Sequence, residues 1–481
     1  MKKANILLAL FAILVLVPTA RAQNNAALQG DYAFTFNGMT TGGGTSWTPF
    51  AAVGRFTADG AGDLTNGELD TNGFTPAEKL VTQAFTGTYS IGADNRGLMN
   101  LNIPGGGVLA FAMTANGNAK FVTVDASGGH GTVGSGTIEK VDTSAYGTAK
   151  ITGDYAFGVT GFDQSNNRTA VAGRFTANGL GVLSDGAADI NLAGNFSTWN
   201  LFVGGYAITD GTSGRGILNL PPLVGGTPTN LNFVFYVVNS GRLFVMEMDA
   251  LTPATPLLNG TVVQQQGELP LLGYSNASLH GKMVMYGAGT GGAEAGELTA
   301  DGLGTLEWLH FANCFQEGGG NGTYSVASNG RTTIRFGPAY VAVYLVNTNQ
   351  AFYVAAGGCV SAGAGEPQAP EPLTNSAISG VYAGSTAIVT GLNNVIFSGV
   401  FTADGASPTG TISGTEDIGA PSGASLGTPA TATYSIPINY LNGSGTMSQS
   451  ITGSGNSTDI VFVISSSKFV VIASGLLIFE K

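Results

Sequence analysis

The feature that most constrains this chain is an internal repeat, in which three short blocks recur in the same order along the sequence. The second block reads Gly-Arg-Phe-Thr-Ala-Asp-Gly at residues 54–60, and the third is a Gly-Thr-Tyr-Ser-Ile sequence beginning at Gly87. The first block, Gly-Asp-Tyr-Ala-Phe, opens at Gly30 and Gly153, is looser at Gly380 and is missing from the third copy. Self-similarity over a long period is typical of stacked or tandem structural units. The blocks therefore predict four consecutive copies of one unit.

Within a copy, apolar residues alternate over short runs that are bounded by glycine-rich turns, which is typical of half-buried strands. Glycine supplies 75 of the 481 residues without the every-third spacing of collagen. Asp-Gly and Asn-Gly pairs tolerate the positive φ of tight hairpins, and they predict a two-residue turn at the end of the second block. These repeat-marker turns are Asp59 with Gly60, Asn178 with Gly179, Asp301 with Gly302, and Asp404 with Gly405.

The first copy is predicted to contain eight strands, near residues 31–37, 51–58, 62–70, 84–91, 97–103, 108–114, 119–125 and 132–140. Consecutive strands joined by short turns hide their edges by closing into an up-and-down barrel. A β-sandwich is the alternative, although its Greek-key connections need a long crossover that is missing here. The sequence therefore predicts an all-β protein of four tandem antiparallel units, as small eight-stranded meander barrels or else as β-sandwiches.

The N-terminus has the three parts of a secretory signal peptide: a basic start, an apolar run over residues 4–17, and small residues up to Ala22. The apolar run is shorter than the ~20 residues needed to cross a bilayer. We predict cleavage after Ala22 and an exported protein, periplasmic, cell-surface or extracellular, with no transmembrane segment after removal of the signal. The predicted divisions are 1–22 for the signal and 23–142, 148–266, 272–364 and 376–481 for the units, with proline-bearing residues 361–376 as a linker.

Both cysteines of the chain, Cys314 and Cys359, fall in the shortened third unit. In an oxidising compartment, two thiols of one domain usually form a disulfide, which we predict here. A metal site is the alternative, but neither cysteine has a partner at CxxC spacing and only His310 lies nearby.

Charge and motifs exclude several classes of function. The net charge of -12 lacks the basic field that nucleic-acid binding requires. The glycines of the second block do not join a strand to a helix, so they predict no nucleotide site. The three histidines hold no equivalent positions, and no Gly-x-Ser-x-Gly elbow is present. We predict no catalytic set, no cofactor and no metal.

One recurring polar set is a weak candidate site. Asp70 with Asn72 and Asp189 with Asn191 occupy matching places after the marker turn, with looser matches at Asp417 in copy four and Asn313 in copy three. Paired carboxylates can perform acid and base chemistry on a glycoside. The same residues can instead cap turns by hydrogen bonds to the backbone. Turn capping is favoured, because copy three keeps neither acid.

The three blocks together resemble the tandem repeats of uncharacterised exported proteins of acidobacterial type, which carry similar Gly-x-Tyr-Ala-Phe and Phe-Thr-Ala-Asp-Gly sequences. The resemblance covers most of the chain after residue 22 and implies export and tandem organisation without an assigned activity. The meander also resembles lipocalin and avidin barrels in outline.

The sequence therefore predicts a non-enzymatic exported repeat protein that acts in surface or extracellular binding or adhesion. Its partner is unknown, with a cell-surface glycan or a small apolar ligand as the candidates. The alternative is a carrier that encloses small apolar ligands in lipocalin-like barrels, and the third hypothesis is a glycan-active hydrolase.

Overall fold

The computed structural model of this chain describes residues 24–41, 46–73, 79–104, 106–200, 203–221, 230–267, 273–309, 318–337, 339–388, 395–437, 443–449 and 458–481. Nearly all regular structure in these ranges is β-strand. Helical structure there consists of single 3-10 turns, at Asn25–Ala27, Thr143–Ala145, Thr148–Lys150, Asn276–Ser278 and Asn375–Ala377. The prediction of an all-β chain is confirmed.

Barrel 1 is a closed antiparallel meander in which each strand pairs with its chain neighbours and the eighth strand pairs with the first. Its strands are β1 (Gln29–Thr40), β2 (Thr48–Asp59), β3 (Asp63–Asn72), β4 (Val81–Ile91), β5 (Arg96–Asn102), β6 (Val108–Met113), β7 (Ala119–Thr123) and β8 (Thr132–Lys140). All eight strands predicted for the first copy are present. The barrel prediction is confirmed over the sandwich.

Barrel 2 has the same meander with an interrupted fourth strand. The third strand pairs with the second along its length, and then with two short segments that together take the place of the fourth strand. The strands are β9 (Thr152–Phe162), β10 (Arg168–Asn178), β11 (Val182–Leu192), β12 (Asn195–Asn200), β13 (Gly204–Asp210), β14 (Arg215–Leu220), β15 (Leu231–Asn239), β16 (Arg242–Glu247) and β17 (Leu257–Gln264).

Barrels 3 and 4 are again closed meanders of eight strands. Barrel 3 comprises β18 (His280–Gly289), β19 (Gly292–Asp301), β20 (Thr305–Leu309), β21 (Gly319–Val326), β22 (Arg331–Phe336), β23 (Ala339–Asn347), β24 (Gln350–Ala356) and β25 (Ser361–Pro367). Barrel 4 comprises β26 (Ser379–Ile388), β27 (Ile396–Asp404), β28 (Gly410–Gly419), β29 (Ser425–Ser435), β30 (Ser444–Gln449), β31 (Thr458–Ser465), β32 (Lys468–Ile472) and β33 (Leu476–Glu480).

The predicted linker over residues 361–376 is wrong in its first half. Residues 361–367 form β25, which pairs with both β18 and β24 and closes barrel 3. Its only proline, Pro367, is the last residue of the strand, where the missing N–H disturbs the ladder least. The connection to barrel 4 is therefore much shorter than the composition suggests.

The interior of each barrel is filled by side chains. On β1, alternate residues Tyr32, Phe34 and Phe36 point inward and are buried, as the two-residue period of a strand requires. Similar apolar clusters occupy the other three barrels. Among the described residues, these packed interiors argue against the predicted carrier of apolar ligands inside the barrels.

Two repeated residues of the blocks have structural roles that explain their recurrence. A Cβ on Gly54 would lie 2.6 Å from the ring of Phe34, so only glycine lets this ring lie against β2. The tyrosine of the third block ties the fourth strand to the segment before the first strand. Tyr89 donates to the carbonyl of Leu28 at 2.8 Å, and Tyr434 donates to that of Ile378 at 2.7 Å.

The four barrels pack head to tail into a closed ring. The outer faces of the first two strands of each barrel contact strands six to eight of the next barrel, and those of barrel 4 contact barrel 1. At the first junction, for example, Ala33 and Val53 pack against Val234 and Phe244. Equivalent apolar clusters occupy the other three junctions. Because the same two surfaces meet each time and the last meets the first, the ring has approximate four-fold symmetry.

Candidate functional site

The recurring carboxylates lie in the junctions between barrels. Asp70 of barrel 1 is fully buried and accepts two hydrogen bonds from Arg215 of barrel 2, from Nε at 2.7 Å and from Nη2 at 3.0 Å. The hydroxyl of Tyr236, also in barrel 2, donates to the same carboxylate at 2.8 Å. Thr82 of barrel 1 completes its surroundings with a further hydrogen bond.

The same arrangement recurs one barrel further along. Asp189 of barrel 2 is fully buried and accepts from Nε and Nη2 of Arg331 in barrel 3, both at 2.7 Å. Tyr344 of barrel 3 donates at 2.7 Å and Thr198 of barrel 2 at 2.5 Å. Arginine and tyrosine face each other across neighbouring strands, since Arg331 pairs with Tyr344 in the ladder.

The asparagines of the candidate set also bridge barrels. Asn72 donates from Nδ2 to the carbonyls of Glu247 and Asp249 in barrel 2, both at 2.8 Å. Asn191 donates in the same way to barrel 3, including the carbonyl of Ala355 at 2.8 Å. The predicted role in capping turns is therefore wrong for Asp70, Asp189 and Asn72. Asn191 does cap a turn, because its Oδ1 accepts from the backbone N–H of Gly194 at 3.0 Å. All four residues join each barrel to the next one.

In these surroundings, neither carboxylate is available as a general acid or base for a substrate. An ionised carboxylate has about four lone-pair sites, and those of Asp70 and Asp189 are engaged by arginine, tyrosine and threonine. Both groups are also closed off from solvent. The geometry is that of a buried ion pair at a subunit-like interface, without the open side that a substrate would need.

Sequence reasoning missed the arginines of these pairs. Arg96, Arg215 and Arg331 each begin the fifth strand of their barrel, directly after the turn from the fourth strand. The chain has few basic residues, and three copies carry an arginine at the same place in the repeat. Comparing the copies for basic residues would have found them.

The junction that closes the ring uses the same pair. Asp417 of barrel 4 accepts from Nη1 of Arg96 in barrel 1 at 2.8 Å, and both side chains are largely buried. At the junction between barrels 3 and 4, Ser444 stands at the position of these arginines, so the described residues there form no such pair. Asn313, the residue of copy three that we aligned with the acids, lies outside the described residues.

The repeat-marker turns lie at the rim of each barrel. Asp59 ends β2, and its Oδ1 accepts from the backbone N–H groups of Ala61, Gly62 and Asp63 at 2.7–3.0 Å. Gly60 has a φ of 80°. The loop has three residues, one more than the predicted hairpin, because the aspartate caps it from the end of the strand. These backbone hydrogen bonds lower the pKa of Asp59.

The other marker turns follow the same pattern. Asn178 and Asp301 cap three-residue loops, and Asp404 caps a longer one. The glycines Gly179, Gly302 and Gly405 have φ values of 76°, 77° and 67°. At the tips of two of these loops, Leu180 and Leu303 project into solvent and are more than 80% exposed.

A cavity of about 260 Å³ lies where the four barrels meet. The first and eighth strands of every barrel contribute to its wall, which places it on the axis of the ring. Several of its lining residues keep partial exposure, so solvent reaches it. Representative lining residues are Asn37 and Thr137 of barrel 1, Thr160 and Thr261 of barrel 2, Tyr286 and Gly363 of barrel 3, and Ser385 and Ile478 of barrel 4.

Three ion pairs between neighbouring barrels form a charged collar, which we define as Glu139 with Arg242, Glu366 with Lys468, and Glu480 with Lys120. In each pair the acid lies on the eighth strand of one barrel and the base lies on the seventh strand of the next. Burial opposes ionisation of Glu480, but Lys120, Lys468 and Arg242 together lower its pKa. Bases from three barrels therefore act on one carboxylate, and Lys120 itself lines the axial cavity.

Glu247, beside the junction of barrels 1 and 2, gives a prediction about pH. Burial raises the pKa of its carboxyl well above the usual range. The negative charge of Asp249 also raises this pKa, whereas hydrogen bonds from backbone N–H groups lower it. The folded protein therefore keeps this proton to a higher pH than the unfolded chain, in which the group ionises at about pH 4.3. Below about pH 4.3 the carboxyl is protonated in both states and costs no stability. Above that pH, the free energy of unfolding falls by up to about 1.4 kcal/mol per pH unit until the folded-state pKa is reached.

Glu247→Gln is expected to remove this loss, so the variant gains stability over the parent as the pH rises from 4 to 7. Urea unfolding at several pH values measures the difference, with Glu307→Gln on an exposed strand position as the control. A difference that stays constant with pH would show that Glu247 is ionised in the folded protein.

Several predicted features fall outside the described residues. Residues 1–22, the predicted signal peptide, belong to this group, as do Cys314 and His310. The Cys314–Cys359 disulfide stays a prediction. In the ranges that the structure covers, we find no helix with the length and apolar character to span a bilayer.

Comparison with known proteins identifies no family. No protein-family model and no curated protein matches the chain. Transferrin binding protein B from serogroup B Neisseria meningitidis is 10% identical over 75% of this chain and 83% of its own, with a TM-score of 0.18. A mutant of transferrin binding protein B from Haemophilus parasuis, described as a vaccine antigen, is 9% identical over 78% of this chain and 85% of its own, with a TM-score of 0.18.

A protein of unknown function of the DUF3598 family from Nostoc punctiforme is 9% identical, over 50% of this chain and 97% of its own, with a TM-score of 0.14. At these TM-scores, the similarities assign neither a family nor an activity to this chain.

Proposed function

We propose that this chain is a non-enzymatic exported protein that acts in binding or adhesion at the cell surface or outside the cell. Its working form is the closed ring of four barrels, which holds one side of each barrel at the axis and leaves another side free for a partner. Export is supported by the predicted signal peptide.

The proposal rests on what the recurring polar residues do in the structure. Asp70 and Asp189 were the best candidates for chemistry in the repeat, and both serve to bind one barrel to the next. The filled interiors of the barrels leave the outer surface and the axial cavity as places for a ligand. Binding by a rigid scaffold therefore fits the chain better than hydrolysis or transport inside the barrels.

The test uses the chain without residues 1–22, labelled and applied to glycan arrays and to intact bacterial and host cells. We expect retention on at least one glycan class or cell surface, and no release of sugar from the retained glycans. Absence of binding across arrays and cells would overturn the proposal. So would glycan hydrolysis that co-purifies with the protein and disappears in a variant of an exposed carboxylate.

A further inference from the structure

We propose that the axial cavity binds one neutral sugar ring, either free or as the terminal residue of a glycan. This inference rests on the proposed binding function and names a site and a ligand class for it. It follows from the size, the two-sided lining and the charge balance of the cavity.

The volume suits a small ligand. The volume of about 260 Å³ is less than the 300–1,000 Å³ typical of pockets for drug-sized ligands. A space of this size suits a ligand of about one sugar ring. Because all four barrels contribute to the wall, the cavity exists only in the closed ring.

One side of the cavity is polar. It is formed by barrels 1 and 2, which contribute the side chains of Asn37, Thr137, Thr261 and Asn259. Asn259 is held across the junction by hydrogen bonds from its Nδ2 to Thr35 Oγ1 and to a backbone carbonyl, both at 2.8 Å. Within the ranges that the structure describes, the hydroxyls of Thr137 and Thr261 have no protein hydrogen-bond partner. They are therefore available to hydroxyl groups of a ligand.

The opposite side is mainly apolar. Barrels 3 and 4 contribute Ala364, Ala387, Ile388, Leu476 and Ile478 to the wall, together with the polar side chains of Tyr286 and Ser385. A sugar ring has the matching asymmetry, because its hydroxyls project from the edge while its C–H groups form an apolar face. A fully apolar ligand would leave the threonine hydroxyls without partners, at a cost for each buried group.

The charge balance favours a neutral ligand. Lys120 is the charged residue of the described lining, and its ammonium group pairs with Glu480 at 3.4 Å. The charged collar has three acids and three bases, so it adds no net charge. A carboxylate or phosphate ligand would have to displace Glu480 from Lys120, and a cation would meet Lys120 directly.

The experiment measures binding of glucose, galactose, mannose and N-acetylglucosamine to the whole chain without residues 1–22 by titration calorimetry. Glucuronate serves as the acidic comparison. Neutral disaccharides and longer oligosaccharides that end in the same ring distinguish a free sugar from a glycan terminus. We expect at least one neutral sugar to bind with one site per chain and glucuronate to bind more weakly.

Variants locate the site. Ala387→Phe places a ring in the cavity and is expected to abolish binding. Thr137→Val and Thr261→Val keep the shape but remove one hydroxyl each, and each is expected to weaken binding about 5-fold, the value of one uncharged hydrogen bond. Thr402→Val, at an exposed position on β27, is the matched control and leaves binding unchanged. Small-angle scattering confirms that each variant retains the ring.

The outcomes separate this inference from the proposed function. Sugar binding that survives Ala387→Phe and both threonine variants places the ligand elsewhere, which overturns the axial site but supports a binding protein. Preference for glucuronate overturns the neutral class. If no sugar binds although cells or glycan arrays retain the protein, the axial site is wrong and the broader proposal stands.

Discussion

Arg331→Ala is expected to lower the free energy of unfolding by about 3–5 kcal/mol, the range for breaking one side of a buried ion pair. Asp189 is fully buried, and the substitution removes both of its hydrogen bonds from arginine. The remaining donors, Tyr344 and Thr198, cannot neutralise the charge. Urea unfolding followed by tryptophan fluorescence provides the measurement.

Arg335→Ala is the matched control. Arg335 lies on the same strand as Arg331 but is exposed, and its contact is a stacking interaction with Tyr340 at 5.4 Å. Such exposed contacts are worth about 0.5–1 kcal/mol. If the two alanine variants lose similar stability, the Asp189 cluster is hydrated in solution and does not hold barrels 2 and 3 together.

Arg96→Glu is expected to open the ring. The junction of barrels 4 and 1 is the one that no consecutive stretch of chain connects, and the substitution sets a second acid against Asp417 in a largely buried place. Repulsion between like charges in such surroundings costs several kcal/mol. The barrels stay folded because their cores are separate, so the radius of gyration from small-angle scattering rises while the circular dichroism spectrum is kept.

The reversed pair, Arg96→Glu with Asp417→Arg, is expected to restore the compact scattering profile, because it regenerates an ion pair at the same place. Lys140→Glu changes the net charge by the same amount at an exposed position and leaves the ring closed. A compact profile for the single Arg96→Glu variant would mean that apolar contacts at this junction suffice to close the ring.

The fold of each barrel was largely predictable from sequence. Alternation of apolar residues and capped glycine turns gave all eight strands of barrel 1, because these signals are local. The interrupted fourth strand of barrel 2 was missed, since Asn195–Asn200 and Gly204–Asp210 carry ordinary strand residues on both sides of the break. The eighth strand of barrel 3 was hidden by Pro367, which suggested a linker.

The candidate site was predictable only in part. The recurrence of Asp70 and Asp189 singled out two residues that matter, but their partners are 145 and 142 residues away along the chain. No spacing within one copy indicates such a partner. The axial cavity gave no signal in the sequence, because most of its lining residues are threonine, alanine, glycine and isoleucine, which are typical of any strand.

By itself, the sequence determined the number of units, their β-meander and the chemistry of their marker turns, since these depend on two-residue alternation and on the φ angles that glycine and aspartate adopt. Tertiary structure alone decided that the units form a ring, because that depends on the complementarity of outer faces between different copies. It also decided the roles of the recurring acids. The role of a buried carboxylate depends on the group that faces it, and here that group is an arginine of the next barrel.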